Sequence, residues 1–521
     1  MDVIERPSST TRKRPPDATT GLIRGSNLLL FGRGLSVAVG MVVQIIIVRY
    51  LSKEDFGAFA YALSLVSLAE TISTFGLDRA VTRFLPIYEE HEEHAKMFGT
   101  LVLVLSSVLG LGLAMILAGA GAHAIFGDKI IGDHRAYTLL AILIVLGPVQ
   151  ALDNVAMGMF AVFSRPGAIF FRKHILEPAL QLLVIILLVM RHSPVGFLAT
   201  GYMLAGVAGM LVYAWMLYRM LSDRGAFKRF RTSGLSIPFR EVFGFTLPLL
   251  SSDLLYGVMG TTDAILLEHF RGTLSVGAFR VVQPAAKMNQ FVMLSFTILF
   301  TPVAARYFAR KDRDGLRRAY GQTVSWMAML AFPIFLLTFS LARPVTTALF
   351  GGQYSSSAII MSLLSLGYFV STASGFNGLT LKVVGKLRAI VVINLFALVA
   401  NVVLNLVLIK HFGATGAAIG TTATLLVHNA LKQMAVRMVT GVKLFDDGRR
   451  GMFVTMALTA AAVGLIDVLV KPPLLVGFAL AIAGSLVVLA QGRHLLDVND
   501  AFPELLRFRL IRAVFVPKEH R

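Results

Sequence analysis

Residues 452–492, MFVTMALTAAAVGLIDVLVKPPLLVGFALAIAGSLVVLAQG, contain two apolar runs that flank Lys471-Pro472. Each run is about twenty residues long, which is enough for a helix to cross about 30 Å of hydrocarbon. Because the connection between them is only two residues long, the two runs predict a tight transmembrane hairpin.

Runs of the same kind recur from Asn27 to Arg493 in a chain of 521 residues that is 56% hydrophobic and only 15% charged. A soluble protein averages about 25% charged residues, so this composition predicts an all-α integral membrane protein with about fourteen transmembrane helices. The helices are predicted at residues 27–48, 56–75, 98–118, 137–157, 170–190, 195–218, 242–264, 278–299, 321–341, 357–377, 388–409, 414–434, 452–470 and 473–492.

The distribution of charge supports this topology. The net charge is +20, and with the N-terminus inside, about three quarters of the 49 Lys and Arg residues fall on predicted cytoplasmic segments. The positive-inside rule and contact with anionic membrane lipids explain this excess, so no nucleic-acid partner is expected. Both termini are predicted to be cytoplasmic.

An internal repeat divides the chain. Gly57-Ala58-Phe59 matches Gly277-Ala278-Phe279, and the segment 191–196 resembles 410–416 at nearly the same offset. That offset spans six helices, an even number, which predicts two parallel lobes and a C-terminal helix pair. The predicted parts are a disordered cytoplasmic tail (1–22), an N-lobe (23–222), a basic cytoplasmic linker (223–240), a C-lobe (241–440), the helix 13–14 hairpin (441–493) and a cytoplasmic C-terminal tail (494–521).

Polar residues share helix faces in the seventh and eighth predicted spans. The eighth carries a cationic face and the seventh an anionic face, because their polar residues follow i, i+3, i+7, i+10 spacing. A structural ion pair, Asp253 with Lys287 for example, and the lining of a substrate cavity both explain this pattern. The two faces consist of Arg280, Gln283, Lys287 and Gln290, and of Asp253, Tyr256, Gly260 and Asp263.

Other polar residues have equally open interpretations. Arg33 lies about 9 Å into the first helix and could either face a cavity or extend to the interface. Glu177 is four residues from Lys173, which favours a local pair. Asn394, Asn401 and Asn405 share a face that could pack against another helix or contact sugars.

Signatures of enzymes are absent from the sequence. There are no cysteines, and neither a phosphate-binding P-loop motif nor a HExxH zinc motif occurs. The predicted outer loops are too short for a catalytic loop. The sequence therefore predicts a transporter that is not an enzyme and that uses no cofactor or metal.

The segment 56–88, above all GLDRAVTRFLP at 76–86, resembles the polysaccharide (O-antigen or oligosaccharide) flippases of the multidrug/oligosaccharidyl-lipid/polysaccharide exporter superfamily. The resemblance covers roughly residues 25–440 in layout. It implies transport of an oligosaccharide on a polyprenyl pyrophosphate across a bacterial cytoplasmic membrane. It also implies a cationic cavity, ion antiport, and glycosyltransferases and a polymerase as partners.

The site residues that this resemblance implies are chosen by position. The basic residues expected to bind substrate are Arg33, Arg79, Arg83, Arg280, Lys287, Lys382 and Arg388. The carboxylates expected to couple transport to an ion are Asp253, Asp263 and Glu177. The alternatives are a multidrug exporter, a peptidoglycan-precursor flippase, and a non-transporting scaffold of a polysaccharide assembly complex.

Overall fold

The computed structural model describes residues 16–126, 133–226, 234–445 and 447–496. Within these ranges the chain is helical and contains no β-strand, which confirms the predicted all-α class. Residues 1–15, 227–233 and 497–521, which belong to the predicted tails and linker, lie outside the described residues.

The first half of the chain forms nine helices in the described residues. They are α1 (Pro16–Tyr50), α2 (Lys53–Thr74), α3 (Leu77–Glu90), α4 (His94–Phe126), α5 (His134–Leu143), α6 (Leu146–Val162), α7 (Pro166–Phe170), α8 (Glu177–Met190) and α9 (Val195–Asp223), with a π-helical segment at Phe171–Leu176 between α7 and α8.

The second half continues the pattern with shorter breaks. Its helices are α10 (Phe239–Arg271), α11 (Thr273–Arg280), α12 (Gln283–Lys287), α13 (Phe291–Ala309), α14 (Arg313–Phe335), α15 (Ala342–Phe350), α16 (Ala358–Ala373), α17 (Asn377–Val383), α18 (Leu387–Thr440), α19 (Asp447–Val470) and α20 (Leu474–Gly492). Short segments of other helical types lie at Met288–Gln290, Leu336–Ser340, Gly352–Ser357 and Arg493–Leu495.

Eleven helical stretches in the described residues are long and apolar enough to cross a membrane. One of them, α18, contains the two predicted spans 388–409 and 414–434. The backbone is not helical at Gly413, with φ 56° and ψ −132°, so α18 is divided between these spans. The predicted spans 242–264 and 278–299 lie in helical segments that are not among the eleven. The count of fourteen therefore stays a prediction.

Two boundaries differ from those expected. The helix of the predicted span 278–299 is broken near Pro284, which has no backbone N–H to donate. The short helix α12 is then followed by a 3₁₀ turn at Met288–Gln290. At the other end of the N-lobe, α1 begins at Pro16, inside the predicted disordered tail. Proline is favoured at the first helical position, where a missing N–H costs nothing.

The two lobes meet through equivalent residues of the repeat. A Cβ added to Gly57 would lie 2.2 Å from the carbonyl oxygen of Thr273, and one added to Gly277 would lie 3.2 Å from that of Lys53. Thr273 and Lys53 are themselves separated by the repeat offset, so each lobe offers the same surface to the other. Reciprocal contacts of this kind are expected at a two-fold axis. The two glycines let α2 and α11 approach closely, and we call this contact between the lobes the seam.

Three hydrophobic clusters support this arrangement. One lies mainly in the N-lobe around Leu77, Val81 and Tyr213, and another mainly in the C-lobe around Phe300 and Tyr320. The largest joins side chains of both lobes with the C-terminal helix pair. The seam is therefore part of the largest apolar cluster. Polar cavities lie beside this cluster.

Candidate functional site

A cavity of about 430 Å³ lies between the two lobes. Its lining is partly polar, because the broken α11–α12 segment places Arg280, Gln283 and Lys287 in its wall. From the N-lobe, α2 contributes Ser64 and Ser67. The cavity therefore faces residues of both lobes, which is the position required of a site that changes its access when the lobes move.

Arg280 is held in place by backbone and side-chain acceptors. Its Nη1 donates to Gln283 Oε1 at 2.6 Å, and its Nη2 donates to the carbonyl oxygen of Gly260 at 2.9 Å. Gln44 Nε2, from α1, lies 3.5 Å from the carbonyl oxygens of Arg280 and Val281. No carboxylate is within ion-pair distance of the Arg280 guanidinium in the described part of the chain, and Asp263 interacts with it electrostatically from farther away.

Lys287 lies where two cavities adjoin. Its side chain is exposed and makes no hydrogen bond or ion pair among the described residues. A second cavity of about 630 Å³ shares Gly260, Gln283 and Lys287 with the first and extends into the C-lobe. We call these the interlobe cavity and the C-lobe cavity.

Cations and amides make up most of the polar part of the C-lobe cavity's lining. Its basic residues are Arg79, Lys287, Lys382 and Lys432. Its amides are Gln283, Gln290, Asn377, Asn394, Asn401 and Asn429. Ammonium groups suit phosphate or carboxylate oxygens, and amides offer both a donor and an acceptor to hydroxyl groups.

Asp263 is the one carboxylate among the residues that line the C-lobe cavity. It is 2% exposed, and it accepts hydrogen bonds from Asn405 Nδ2 at 2.6 Å and from Thr421 Oγ1 at 3.0 Å. Neutral donors of α18 thus hold both of its oxygens in place, and its charge interacts electrostatically with Arg280 and Lys287.

The asparagine face of α18 makes hydrogen bonds within the bundle and also lines a cavity. His428 Nε2 lies 2.9 Å from Asn394 Oδ1, and Asn401 Nδ2 donates to Thr424 Oγ1 at 3.5 Å. Asn394 and Asn401 also line the C-lobe cavity. Packing hydrogen bonds and a polar cavity wall are therefore made by the same side chains.

A third cavity, of about 510 Å³, lies within the N-lobe. Arg33 and Glu177 line it together with Lys173 and His174. Ser36 Oγ lies 2.6 Å from His174 Nδ1, which ties α1 to the π-helical segment. Arg33 is exposed, so it does not enter the packed interior.

A buried network of ion pairs lies beside this N-lobe cavity. Asp153 Oδ1 is 3.0 Å from Arg172 Nε, and its Oδ2 is 3.0 Å from Lys173 Nζ. Glu177 Oε2 is 3.3 Å from Arg172 Nη1 and 3.8 Å from Lys173 Nζ. The predicted Lys173–Glu177 contact is thus present as part of a larger network. Both cations lie on the π-helical segment, and they contact the carboxylate of Asp153 on α6 and that of Glu177 at the start of α8.

Three residues of these sites were missed by sequence reasoning. Asp153 lies in the predicted span 137–157. A carboxylate is costly inside a membrane span, so its presence there could have indicated a buried polar partner. Arg172 and Lys432 lie near the ends of the predicted spans 170–190 and 414–434 and were counted with the cytoplasmic charges, but they are 4% and 7% exposed within the bundle.

The other predicted site residues fall in different places. Arg83 lies with its guanidinium carbon 4.2 Å from the Phe245 ring centroid, at the start of α10, and lines none of the three cavities. Arg388 is exposed and also lines none of them. The side chain of Asp253 lies outside the described residues.

A two-lobed, all-helical bundle that spans a membrane and encloses polar cavities between and within its lobes defines a membrane transporter. The family model described as polysaccharide biosynthesis protein matches residues 22–308, more than half of the chain. A second model, MatE, matches residues 248–407. The chain therefore belongs to the polysaccharide biosynthesis protein family.

Individual relatives agree with this family. The putative O-antigen transporter of Shigella flexneri is 23% identical over 422 residues, covering 79% of this chain and 97% of that protein. The lipid II flippase MurJ of Bacillus subtilis (strain 168) is 23% identical over 453 residues, covering 77% of this chain and 79% of that protein. These relatives are transporters and flippases, not enzymes.

The fold has solved counterparts. The lipid II flippase MurJ in an inward closed conformation aligns with a TM-score of 0.68 and 12% identity, covering 92% of this chain and 99% of that chain. An inward-facing MATE family multidrug transporter aligns with a TM-score of 0.59 and 16% identity, covering 78% of this chain and 94% of that one. Both share the superfamily architecture expected from the segment 56–88.

Proposed function

We propose that this protein moves a polyprenyl-pyrophosphate-linked oligosaccharide across the cytoplasmic membrane for surface polysaccharide synthesis, by alternating access between its lobes. The observation that carries the proposal is the interlobe cavity, whose wall contains the cationic groups of Arg280 and Lys287, neither of which has a carboxylate within 4 Å among the described residues. A pyrophosphate needs fixed cations, and sugars need polar walls. The relatives named as O-antigen transporter and flippase support this assignment.

The charge of the cavities distinguishes this function from its rivals. A multidrug exporter for cationic compounds would require acidic walls, whereas the described residues that line the C-lobe cavity include four cations and one carboxylate. A scaffold that transports nothing would not require open cavities between its lobes. A peptidoglycan-precursor flippase would carry the same pyrophosphate chemistry and differs in the sugar alone.

Coupling to an ion gradient belongs to the same proposal. Moving one charge through 100 mV supplies about 2.3 kcal/mol, so antiport of protons or sodium could drive transport. Asp263 and Glu177 are the described candidates. Asp263 is the better placed of the two, because it lines the cavity that contains Lys287, whereas Glu177 is engaged with Arg172 and Lys173.

The test is to neutralise both interlobe cations. Arg280→Gln with Lys287→Gln should reduce transport at least about tenfold, because each charge-assisted hydrogen bond to phosphate is lost. The measurement is the accumulation of lipid-linked repeat units on the cytoplasmic side of cells that lack any other flippase and depend on the variant.

The matched control removes the same charge elsewhere. Arg191→Gln with Lys471→Gln changes two exposed cations on predicted outer loops and should leave surface polysaccharide normal. If the Arg280/Lys287 variant is present at the wild-type level and also supports normal surface polysaccharide, the proposed function is wrong.

A further inference from the structure

The last turn of α1 contacts the C-lobe at the predicted outer end of the bundle. Arg49, in that turn, belongs to the N-lobe, and the helix that it contacts, α15, belongs to the C-lobe. Its Nε donates to the carbonyl oxygen of Leu349 at 2.9 Å, and its Nη2 donates to that of Ala348. Because Arg49 is exposed, this contact between the lobes lies at the surface of the protein.

The end of α15 has acceptors that favour such a contact. The last four carbonyl groups of a helix have no partner within it, and their partial negative charge favours a nearby cation. The last turn of α15 contains no basic residue, so the cation comes from the other lobe. A planar guanidinium can donate to two adjacent carbonyl oxygens at once, which explains why arginine suits this position.

Further hydrogen bonds join the lobes at the same end. Gln353 Nε2, from the C-lobe, donates to the carbonyl oxygen of Val48, near the end of α1, at 3.5 Å. Thr273 Oγ1, at the start of α11, donates to Asp133 Oδ2 at 2.7 Å. Asp133 precedes α5 of the N-lobe, so this bond also crosses between the lobes.

The interlobe cavity ends at these contacts. Tyr354 of the C-lobe is 1% exposed, and its ring packs edge-on against Phe56 of α2 with the centroids 6.4 Å apart. Lys53 Nζ lies 5.7 Å from the centroid of the same ring. Phe56 also lines the interlobe cavity, so the cavity wall at this end is itself a contact between the lobes.

We propose that Arg49 is the latch of an outer gate, which consists of the contacts that Arg49, Gln353, Tyr354 and Thr273 make between the lobes. The inference rests on the proposed function, because alternating access requires these contacts to break when the cavity opens to the outside. An exposed polar contact suits a latch, since water replaces it at small cost. The latch sets how often the outer end opens.

Labelling of a cysteine in the cavity from outside measures the latch. Ser67 lines the interlobe cavity, and the native chain has no cysteine. Arg49→Gln should make Ser67→Cys react about fivefold faster with a membrane-impermeant maleimide added outside, because the closed state loses two charge-assisted hydrogen bonds. Arg49→Lys keeps the charge and should give a smaller increase. Arg191→Gln, which removes an exposed cation from another predicted outer loop, should leave the rate within about twofold.

A reversible cross-link tests the gate without removing Arg49. Asp133→Cys with Thr273→Cys, joined by a short bifunctional methanethiosulfonate, should move a fluorescent polyprenyl-pyrophosphate disaccharide in phosphatidylcholine liposomes at least about tenfold more slowly, and dithiothreitol should restore the rate. The matched control is Ser52→Cys with Asp55→Cys. Ser52 Oγ lies 2.9 Å from Asp55 Oδ2 within the N-lobe, so the same cross-link there should leave transport within about twofold.

The outcomes separate the latch from the proposed function. If Arg49→Gln leaves the external reaction rate unchanged, or if the cross-linked Asp133/Thr273 pair transports as fast as before cross-linking, the inference is wrong and the proposed function stands. If the wild-type protein does not move the probe, the proposed function is overturned, and the labelling of Ser67→Cys still decides whether Arg49 holds the outer end closed.

Discussion

The N-lobe and the C-lobe use buried charge in different ways. In the N-lobe, Asp153 and Glu177 are matched against Arg172 and Lys173 within 4 Å. In the C-lobe cavity, the described lining includes four cations from four helices and one carboxylate, Asp263, which accepts hydrogen bonds from neutral donors. Removing one member of the paired N-lobe network would leave a buried charge uncompensated, whereas the cations that line the C-lobe cavity outnumber its described carboxylates.

The largest expected effect follows from breaking the paired network. Asp153→Asn removes the carboxylate that contacts both cations, and it should reduce the free energy of unfolding by about 3–5 kcal/mol because buried charge is left uncompensated. Thermal unfolding of the purified protein in detergent measures this loss.

The comparison between the lobes supplies the control. Lys287→Gln removes a cavity charge that has no partner among the described residues, so it should leave the thermal midpoint close to that of the wild type. If Lys287→Gln destabilises the protein as much as Asp153→Asn does, the distinction between structural and ligand-binding charge fails.

A smaller effect is expected at the seam that joins the two regions. Gly57→Ala would place a Cβ 2.2 Å from the Thr273 carbonyl oxygen, so α2 and α11 must separate. Overpacking of this kind costs about 1–3 kcal/mol. Gly110→Ala is the matched control, because nothing lies within 4 Å of its Cβ position. Equal thermal midpoints for the two variants would show that the lobes do not pack at this seam.

The overall fold was predictable from the sequence, because long apolar runs and the positive-inside bias depend only on composition along the chain. The repeat was also visible, since Gly57 and Gly277 lie in matching segments and meet at the seam. Superfamily membership followed from the segment 56–88, although the number of spans stays a prediction.

The site was less predictable, because it depends on contacts between helices that are far apart in the sequence. The common face of Arg280, Gln283 and Lys287 was anticipated, and all three line the interlobe cavity. The break in their helix was not anticipated, although Pro284 was a signal. The network of Asp153 and Arg172 joins residues of separate helices, and no local spacing pattern contains that information.

Alternating access is the central claim, and accessibility of a single cysteine tests it most directly. The native chain has no cysteine, and Ser67, an exposed residue of α2 in the interlobe cavity, can be replaced conservatively. Ser67→Cys should react with a membrane-impermeant maleimide added to either side of the membrane, because the cavity opens to each side in turn. Ser73→Cys, at a fully buried position, should not react. Reaction of Ser67→Cys from one side only, under conditions in which the protein transports substrate, would contradict the account.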